Sequence, residues 1–430
     1  MNNKKVFITI NKMVCPILVS SLADMLFNIA DQAIIGRTSV EGFAAVSVVA
    51  NLIYLLTGSI GAISIAFAIL FGRAIGEGDR KKQSAIFSNA ISLAIIIGIV
   101  FGIASVVLGR TFLGGIYGLK ANVLEYAYDY LVIACWGLGL NLIIFLFSAY
   151  FKHLKKSTIS MIANIVSLGI NLIIDYVLVF GKFGFPRLGV SGAAIGTIAG
   201  LSINVIIFIF MFLKHRIVDF RFRLNIEEIR KLTITYLPIF GEDFVECTLL
   251  AMAITSFVTR MDTYFIATYN MLEIIIAVII LPTHAYGGVV MTLVSQKYSN
   301  LSKSEIARYP KMAVLCGIAF VVIMGSFILM YPQVMEIITD DARLVDIATN
   351  VCIFAICIQL LNVPNQIYKY ALQSTGQERW IFRVSTVCAI ISCLIIYLLI
   401  HVLDMGLYSI YFGLGIMYSI LFVLYMRKIS

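Results

Sequence analysis

Acidic and amide side chains interrupt two long apolar runs of the chain at helical spacing. Asp24, Asn28 and Asp31 lie at positions i, i+4 and i+7 of the first run, which places them on one helix face. Asn171 and Asp175 lie at i and i+4 in the fifth run. Hard cations prefer carboxylate and amide oxygens, and a carboxylate removed from water holds a proton more tightly. We therefore predict that Asp31, Asn171 and Asp175 form one site for a proton or for Na⁺.

These polar side chains have a simpler alternative role, because polar groups inside a membrane also make contacts between helices. That alternative stays open for Asp31 and Asp175. A contact between helices is a stronger alternative for Asp24 than for Asp31 and Asp175. We place Asp24 and Asn28 as candidate residues that line a water-filled cavity.

The second half of the chain carries a different polar set. Glu242, Asp243 and Glu246 can cluster after Pro238, and Glu246 is the deepest of the three, so it is the preferred functional candidate. A polar stripe also follows one face of the tenth run and consists of Gln359, Asn362, Gln366, Lys369 and Gln373. These side chains either contact a cargo molecule or hydrogen-bond between helices.

Other arrangements of residues that carry chemistry are absent from the sequence. The eight cysteines fall inside apolar runs without metal-type spacing, and GRAIGEGDRKK lacks the GK[ST] ending of a phosphate loop. No nucleophile stands with a base in a recognisable motif. We therefore expect neither an enzyme nor a cofactor, and an ion gradient rather than ATP as the energy source.

Membrane-spanning helices must hold these residues. The 430-residue chain is 61% hydrophobic and 13% charged, whereas soluble domains are about 45–50% apolar and about 25% charged. A spanning helix needs about 20 mostly apolar residues. Twelve runs meet this need and predict an all-α integral membrane protein: 13–36, 46–71, 84–108, 123–149, 157–181, 189–213, 233–259, 264–295, 309–331, 343–370, 379–402 and 405–426.

The basic residues predict the orientation of these spans. With the N-terminus inside, 25 of the 32 Lys and Arg residues fall on the cytoplasmic side, which favours both termini in the cytoplasm. We expect a multi-pass protein of a bacterial cytoplasmic membrane, with the net charge of +9 serving orientation rather than binding of nucleic acid.

An internal repeat predicts two halves. A shift of 222 residues places Pro16 on Pro238 and Asp24 on Glu246, and it places Asp175 on Tyr397. Since each half has six spans, the repeat is parallel. We predict an N-lobe at 1–213, a cytoplasmic linker at 214–232 and a C-lobe at 233–430. Because Tyr397 is not acidic, a cation site is expected in the N-lobe.

Three segments resemble the multidrug and toxic compound extrusion (MATE) transporters: PILVSSLADMLFNIADQAIIG at 16–36, GRAIGEGDRKKQSA at 72–85 and NLIIDYVLVFGKFGFPRLGVSGAAIGT at 171–197. The resemblance implies two six-helix lobes around a central cavity and export of organic compounds in exchange for H⁺ or Na⁺. Asp31, Asn171 and Asp175 match the family's first-lobe cation site. Glu246 is similar to the second-lobe glutamate of the Na⁺-coupled branch, whereas Asn362 replaces that branch's second-lobe acid.

Two other functions remain as alternatives. A flippase for a lipid-linked saccharide or another lipid-like substrate shares the many-helix plan but often lines its cavity with Arg or Lys, whereas the membrane-embedded charges here are mostly acidic. A receptor or scaffold without transport is the other alternative. For the transporter we expect a small, cationic or amphiphilic organic substrate and function as a monomer.

Overall fold

A computed structural model describes residues 3–298, 302–331, 335–336, 339 and 341–429. These residues form sixteen α-helices and one π-helical segment, with no strand among them. The α-helices are α1 Asn3–Gly36, α2 Val40–Gly61, α3 Ile63–Gly76, α4 Arg80–Gly115, α5 Ala121–Ala134, α6 Gly137–His153, α7 Ser157–Phe180, α8 Val190–Lys214, α9 Ile226–Asp243, α10 Ala251–Val258, α11 Thr263–Lys297, α12 Lys303–Ile306, α13 Arg308–Met330, α14 Ala342–Ser374, α15 Glu378–His401 and α16 Tyr408–Ile429. The π-helical segment, Phe244–Leu250, joins α9 to α10.

The all-α membrane fold class is confirmed. Across the described ranges, eleven helical stretches are long and apolar enough to cross a membrane. Two of them combine neighbouring helices, because α2 continues into α3 over Val40–Gly76 and α5 continues into α6 over Ala121–His153. The seventh predicted span, 233–259, is not a single α-helix, since it is divided among α9, the π-helical segment and α10.

The chain divides into two compact units. The N-terminal unit is Cys15–Tyr236, and the C-terminal unit comprises the described residues of Met1–Val14 and Leu237–Ser430. Helix α1 therefore supplies residues to both units. In the C-terminal unit, the Tyr286 hydroxyl of α11 donates to Asn11 Oδ1 at 2.7 Å and fastens the start of α1.

Aromatic side chains fill one end of the N-terminal unit. Phe87 of α4 stacks on Phe212 of α8 with ring centroids 5.1 Å apart, and Tyr150 of α6 packs against both rings. Lipid tails are as apolar as these rings, so close van der Waals packing rather than exclusion of water holds the helices together here. The Tyr150 hydroxyl also donates to the backbone oxygen of His215 at 3.2 Å. The aromatic cluster thus fixes the start of the connection that follows α8.

That connection, the predicted linker at 214–232, lies in the N-terminal unit and runs along α4. Backbone N–H groups of every second residue donate to serines spaced four apart, each at 3.1 Å: Asp219 to Ser84, Arg221 to Ser88 and Arg223 to Ser92. Four helical residues rise about 6 Å and two extended residues about 6.6 Å, so the two repeats stay in register. Asn225 N–H donates to Asn89 Oδ1 at 2.6 Å and ends this serine ladder.

Candidate functional site

Asp31 of α1 and Asn171 and Asp175 of α7 lie together in the N-terminal unit. Asn171 Nδ2 donates to Asp175 Oδ2 at 2.9 Å, and the Asp31 and Asp175 carboxyl groups lie within hydrogen-bonding reach of each other. Asp175 is fully buried. We call these three side chains the carboxylate pair site.

The carboxylate pair site has unused ligand capacity. Within the part of the chain that the structure describes, one oxygen each of Asp31 and Asp175 is buried without a hydrogen-bond partner. Buried polar atoms without partners are costly, and two carboxylates this close repel each other when both are charged. A proton or a cation such as Na⁺ would relieve both costs, so the donor set fits either.

A row of glycines on α8 gives α7 the room to hold this site. Gly192, Gly196 and Gly200 follow one another at four-residue spacing on the face of α8 that meets α7. A Cβ at Gly196 would overlap Asp175 Oδ1, and one at Gly200 would lie 2.9 Å from Asn171 Cβ. Small residues at such spacing let membrane helices approach closely. Asp175 therefore points into a space that only glycine leaves open.

Tyr130 of α5 and Thr197 of α8 complete the surroundings of the carboxylate pair site, and neither was predicted from the sequence. Tyr130 is 6% exposed, interacts electrostatically with Asp31 and Asp175, and lies within hydrogen-bonding reach of Thr197. The glycine spacing around Thr197 was a usable signal, because it marks the α8 face that meets α7. Tyr130 had no such signal, being one of 21 tyrosines in an apolar chain.

Asp24 belongs to a separate polar network in the same unit. Asn164 Nδ2 of α7 donates to Asp24 Oδ1 at 2.7 Å and to Ser20 Oγ at 2.9 Å. Asn204 Nδ2 of α8 donates to Asn164 Oδ1 at 3.5 Å. Asp24 is only partly buried, and Asn28 is exposed one turn further along α1. The amide network holds Asp24 in place while leaving part of it accessible.

In the C-terminal unit, Glu242 of α9 and Glu246 of the π-helical segment surround a lysine. Lys369 Nζ of α14 donates to Glu242 Oε1 at 2.9 Å and to Glu246 Oε2 at 3.1 Å. Gln366 Nε2 donates to Glu246 Oε1 at 3.1 Å. We call these four side chains the lysine cluster. The predicted stripe on α14 therefore divides, since Gln366 and Lys369 meet carboxylates, whereas Asn362 Nδ2 donates to Gln359 Oε1 at 2.9 Å within α14.

Backbone irregularity positions Glu246. It lies in the π-helical segment Phe244–Leu250, which begins six residues after Pro238, a residue that cannot donate a backbone hydrogen bond within α9. The wider π turn changes the direction of the side chains that follow it, and such turns are frequent at functional sites. Glu242 on α9 and Glu246 on the π turn thus face the same ammonium group. Sequence spacing alone placed them one turn apart but gave no sign of the π turn.

A transition-metal site is not among these arrangements. No group of three or more His, Cys, Asp or Glu side chains that could hold a metal ion occurs within the described ranges. The carboxylate pair site offers two carboxylates and one amide, that of Asn171, as potential ligands. Such a set of oxygen ligands suits a hard monovalent cation or a proton.

Curated relatives of this chain carry names of multidrug resistance and export proteins. "Probable multidrug resistance protein NorM" of Thermotoga maritima is 24% identical over 345 residues, which cover 78% of this chain and 73% of the relative. "Multidrug export protein MepA" of Staphylococcus haemolyticus is 24% identical over 423 residues, which cover 94% of this chain and 88% of the relative.

Solved structures agree on the fold over the whole chain. An "outward-facing conformation of a multidrug resistance MATE family transporter of the MOP superfamily" superposes with a TM-score of 0.87 at 16% identity, covering 100% of this chain and 96% of the other. A MOP superfamily transporter from Pyrococcus furiosus superposes with a TM-score of 0.85 at 16% identity, covering 100% and 95%. At this identity the match establishes the architecture alone.

The family model described as MatE matches this chain twice, at residues 16–177 and 238–398. The two matches begin 222 residues apart, which confirms the repeat predicted from the sequence at that same offset. Together they cover most of the chain, so the protein, a multi-pass membrane protein, belongs to the MatE family.

Proposed function

We propose that the protein exports organic compounds, cationic or amphiphilic in character, in exchange for H⁺ or Na⁺ by alternating access. The observation that carries the proposal is the carboxylate pair site, in which two membrane-embedded carboxylates lie together with one unpartnered oxygen each. An intramembrane ionisable group is a functional site by default because it is costly to keep. The names of the multidrug relatives support the same function.

Each residue of the site has a role in this account. Asp31 and Asp175 bind the coupling cation, and Asn171 holds one Asp175 oxygen so that the other remains free. Cation binding removes the repulsion between the carboxylates and draws α1 towards α7. Helix α1 supplies residues to both units, so its displacement is a physical route by which cation binding changes the cargo-binding state.

Cargo contacts are proposed from the partly exposed or amide-rich side chains. Asp24, held by Asn164 and still accessible, suits a cationic group of the cargo. Asn28, exposed on the same helix, suits its polar groups. In the C-terminal unit the candidates are Glu246, Gln359, Asn362 and Gln366. Both termini are placed in the cytoplasm of a bacterial cell and the monomer is taken as the working unit, with no cofactor beyond the coupling ion.

A flippase for a lipid-linked saccharide is less well supported. Such a transporter needs basic side chains that are free to meet a pyrophosphate group. Lys369, a buried basic side chain of the C-terminal unit, already donates to two carboxylates. A phosphate group would have to displace both.

Dye export from proteoliposomes tests the proposed function. A pH gradient and a Na⁺ gradient are imposed separately on vesicles that contain the wild type, Asp31→Asn or the control Asp346→Asn, which changes an exposed aspartate at the start of α14. The proposal predicts that one gradient drives export by the wild type and by Asp346→Asn, and that Asp31→Asn is inactive. Gradient-driven export by Asp31→Asn at the wild-type rate would refute it, as would a wild type that responds to neither gradient.

A further inference from the structure

The positive member of the lysine cluster is a side chain of the protein itself. The Lys369 ammonium bridges Glu242 and Glu246 at 2.9 and 3.1 Å, and the Lys369 and Glu242 side chains are only 7% and 1% exposed. We propose that Lys369 is a built-in cation that occupies this carboxylate pair in place of a coupling metal ion, so that the C-terminal unit excludes Na⁺. The inference rests on the proposed function, because it concerns which unit binds the coupling ion.

Geometry leaves no place for Na⁺ beside the ammonium. Hard cations of this size need several oxygen ligands at about 2.3–2.6 Å. The Glu242 and Glu246 oxygens that face each other across the cluster already accept from Lys369 Nζ. A metal ion bound to the same oxygens would lie about 3–4 Å from a like charge, in surroundings that screen the repulsion poorly. Na⁺ and Lys369 therefore compete for one position.

Charge balance points the same way. Two carboxylates and one ammonium leave one negative charge, and the Gln366 amide that donates to Glu246 Oε1 offsets part of it. Asp243 and His284 also interact electrostatically with the cluster. Glu242 and Glu246 lie within hydrogen-bonding reach of each other, so one proton between them would cancel the residual charge without further ligands. Glu242, Glu246 and Lys369 therefore need one proton, and no metal ion, to be neutral among themselves, while Asp243 adds a further carboxylate beside them.

The carboxylate pair site of the N-terminal unit lacks such a side chain. Among the residues that the structure describes, neither Asp31 nor Asp175 forms an ion pair with Lys, Arg or His, and the neighbouring donors are the amide of Asn171 and the hydroxyl of Tyr130. The same chemical unit, two facing carboxylates, is therefore open to an exchangeable ion in one half. In the other half an ammonium occupies it, and Glu242 Oε2 is the one oxygen of that pair that is buried without a partner in the described part of the chain.

Equilibrium binding of ²²Na⁺ to the purified full-length protein tests the inference. Asp175→Asn serves as the background at pH 8.5, because it removes binding at the carboxylate pair site. Lys369→Met is then added to empty the cluster. Since that change leaves buried carboxylates unpaired, Glu242→Gln with Lys369→Met is the second variant, which keeps the wild-type net charge. Glu242→Gln alone is the control that keeps the ammonium.

The inference predicts that Asp175→Asn and its Glu242→Gln control bind no Na⁺. In the Asp175→Asn background, Lys369→Met creates binding of one Na⁺ per protein, both alone and together with Glu242→Gln. A further Glu246→Gln substitution in these variants removes that binding. Na⁺ binding by Asp175→Asn that disappears with Glu246→Gln overturns the inference, as does a lack of Na⁺ binding in both lysine variants. Dye export is not part of this measurement, so its failure and a failure of the proposed function are distinguishable.

Discussion

The two halves of this protein treat buried carboxylates in opposite ways. In the N-terminal unit, Asp31 and Asp175 meet with an amide and a hydroxyl beside them and with oxygens left unpartnered. In the C-terminal unit, Glu242 and Glu246 meet on the ammonium of Lys369, and three of their four oxygens accept a hydrogen bond, Glu242 Oε2 being the exception. A duplicated fold thus supports two electrostatic designs. An ion-coupled transporter needs only one half that binds and releases the coupling ion. The other half can therefore hold a permanent cation, the Lys369 ammonium.

The packing around the two clusters differs as well. The carboxylate pair site depends on close approach of two regular helices, which the glycines of α8 permit. The lysine cluster depends on an irregular one, because the π-helical segment Phe244–Leu250 turns Glu246 towards Lys369. A change of helix packing should therefore damage the first site most, and a change of charge should damage the second most.

Loss of one carboxylate in the N-terminal unit should have the largest effect. Asp175→Asn keeps the size and a hydrogen-bonding oxygen but removes the charge that holds the cation. We expect ion-driven dye export to fall to the rate of protein-free vesicles while the protein still accumulates in the membrane. Export by this variant at half the wild-type rate or more would place the coupling site elsewhere.

Loss of the ammonium in the C-terminal unit should chiefly affect stability. Lys369→Met leaves Glu242 and Glu246 buried without a counter-charge, and breaking a buried ion pair costs about 3–5 kcal/mol. We expect the free energy of unfolding in mixed micelles to fall by about this amount, and Glu242→Gln with Lys369→Met to recover part of the loss because fewer charges remain unpaired. If Lys369→Met alone is as stable as the wild type, the lysine cluster is not a buried ion pair.

A methyl group on the glycine row should disturb the N-terminal site alone. The Cβ of Gly196→Ala would overlap Asp175 Oδ1, and overpacking of this kind costs about 1–3 kcal/mol. We expect slower ion-driven export and lower thermal stability, with ²²Na⁺ binding by the lysine variants of the C-terminal unit unchanged. Gly169→Ala is the matched control, because its Cβ meets no atom within 4 Å. Equal effects of Gly196→Ala and Gly169→Ala would mean that the glycines of α8 have no specific role in forming the carboxylate pair site.

The serine ladder should contribute the smallest effect. Ser88→Ala removes an acceptor for the Arg221 N–H and a donor to the backbone oxygen of Asp219. A hydrogen bond of this kind contributes about 0.5–1.5 kcal/mol. We expect faster tryptic cleavage at the exposed Arg221 and Arg223 with nearly unchanged export, and no faster cleavage in Ser47→Ala, whose hydroxyl donates within its own helix. Unchanged cleavage of Ser88→Ala would mean that the segment does not rest on α4.

Much of this arrangement was predictable from the sequence. The apolar runs determined the helical membrane fold, and the i, i+4 spacing of Asn171 and Asp175 marked one side of the carboxylate pair site. The 222-residue repeat was visible from a few shared positions such as Pro16 and Pro238, and the double match to the family model confirmed it.

What the sequence could not show depends on side chains that meet from distant helices. Lys369 stood in a stripe of amides, and nothing in the local pattern indicated that Glu242 and Glu246 lie opposite it. Tyr130 reaches the carboxylate pair from α5, where Tyr126 and Tyr128 also occur and no spacing distinguishes it from them. The π-helical segment was equally invisible, because its residues have the composition of an ordinary apolar helix.

Ion-driven dye export by Asp175→Asn and Glu246→Gln, measured side by side in proteoliposomes under the gradient that drives the wild type, shows which unit binds the coupling ion. We expect Asp175→Asn to lose the response to the gradient. We expect Glu246→Gln to keep it, with at most a changed apparent affinity for the dye. A Glu246→Gln variant that no longer responds, beside an Asp175→Asn variant that does, would place the coupling ion in the C-terminal unit instead.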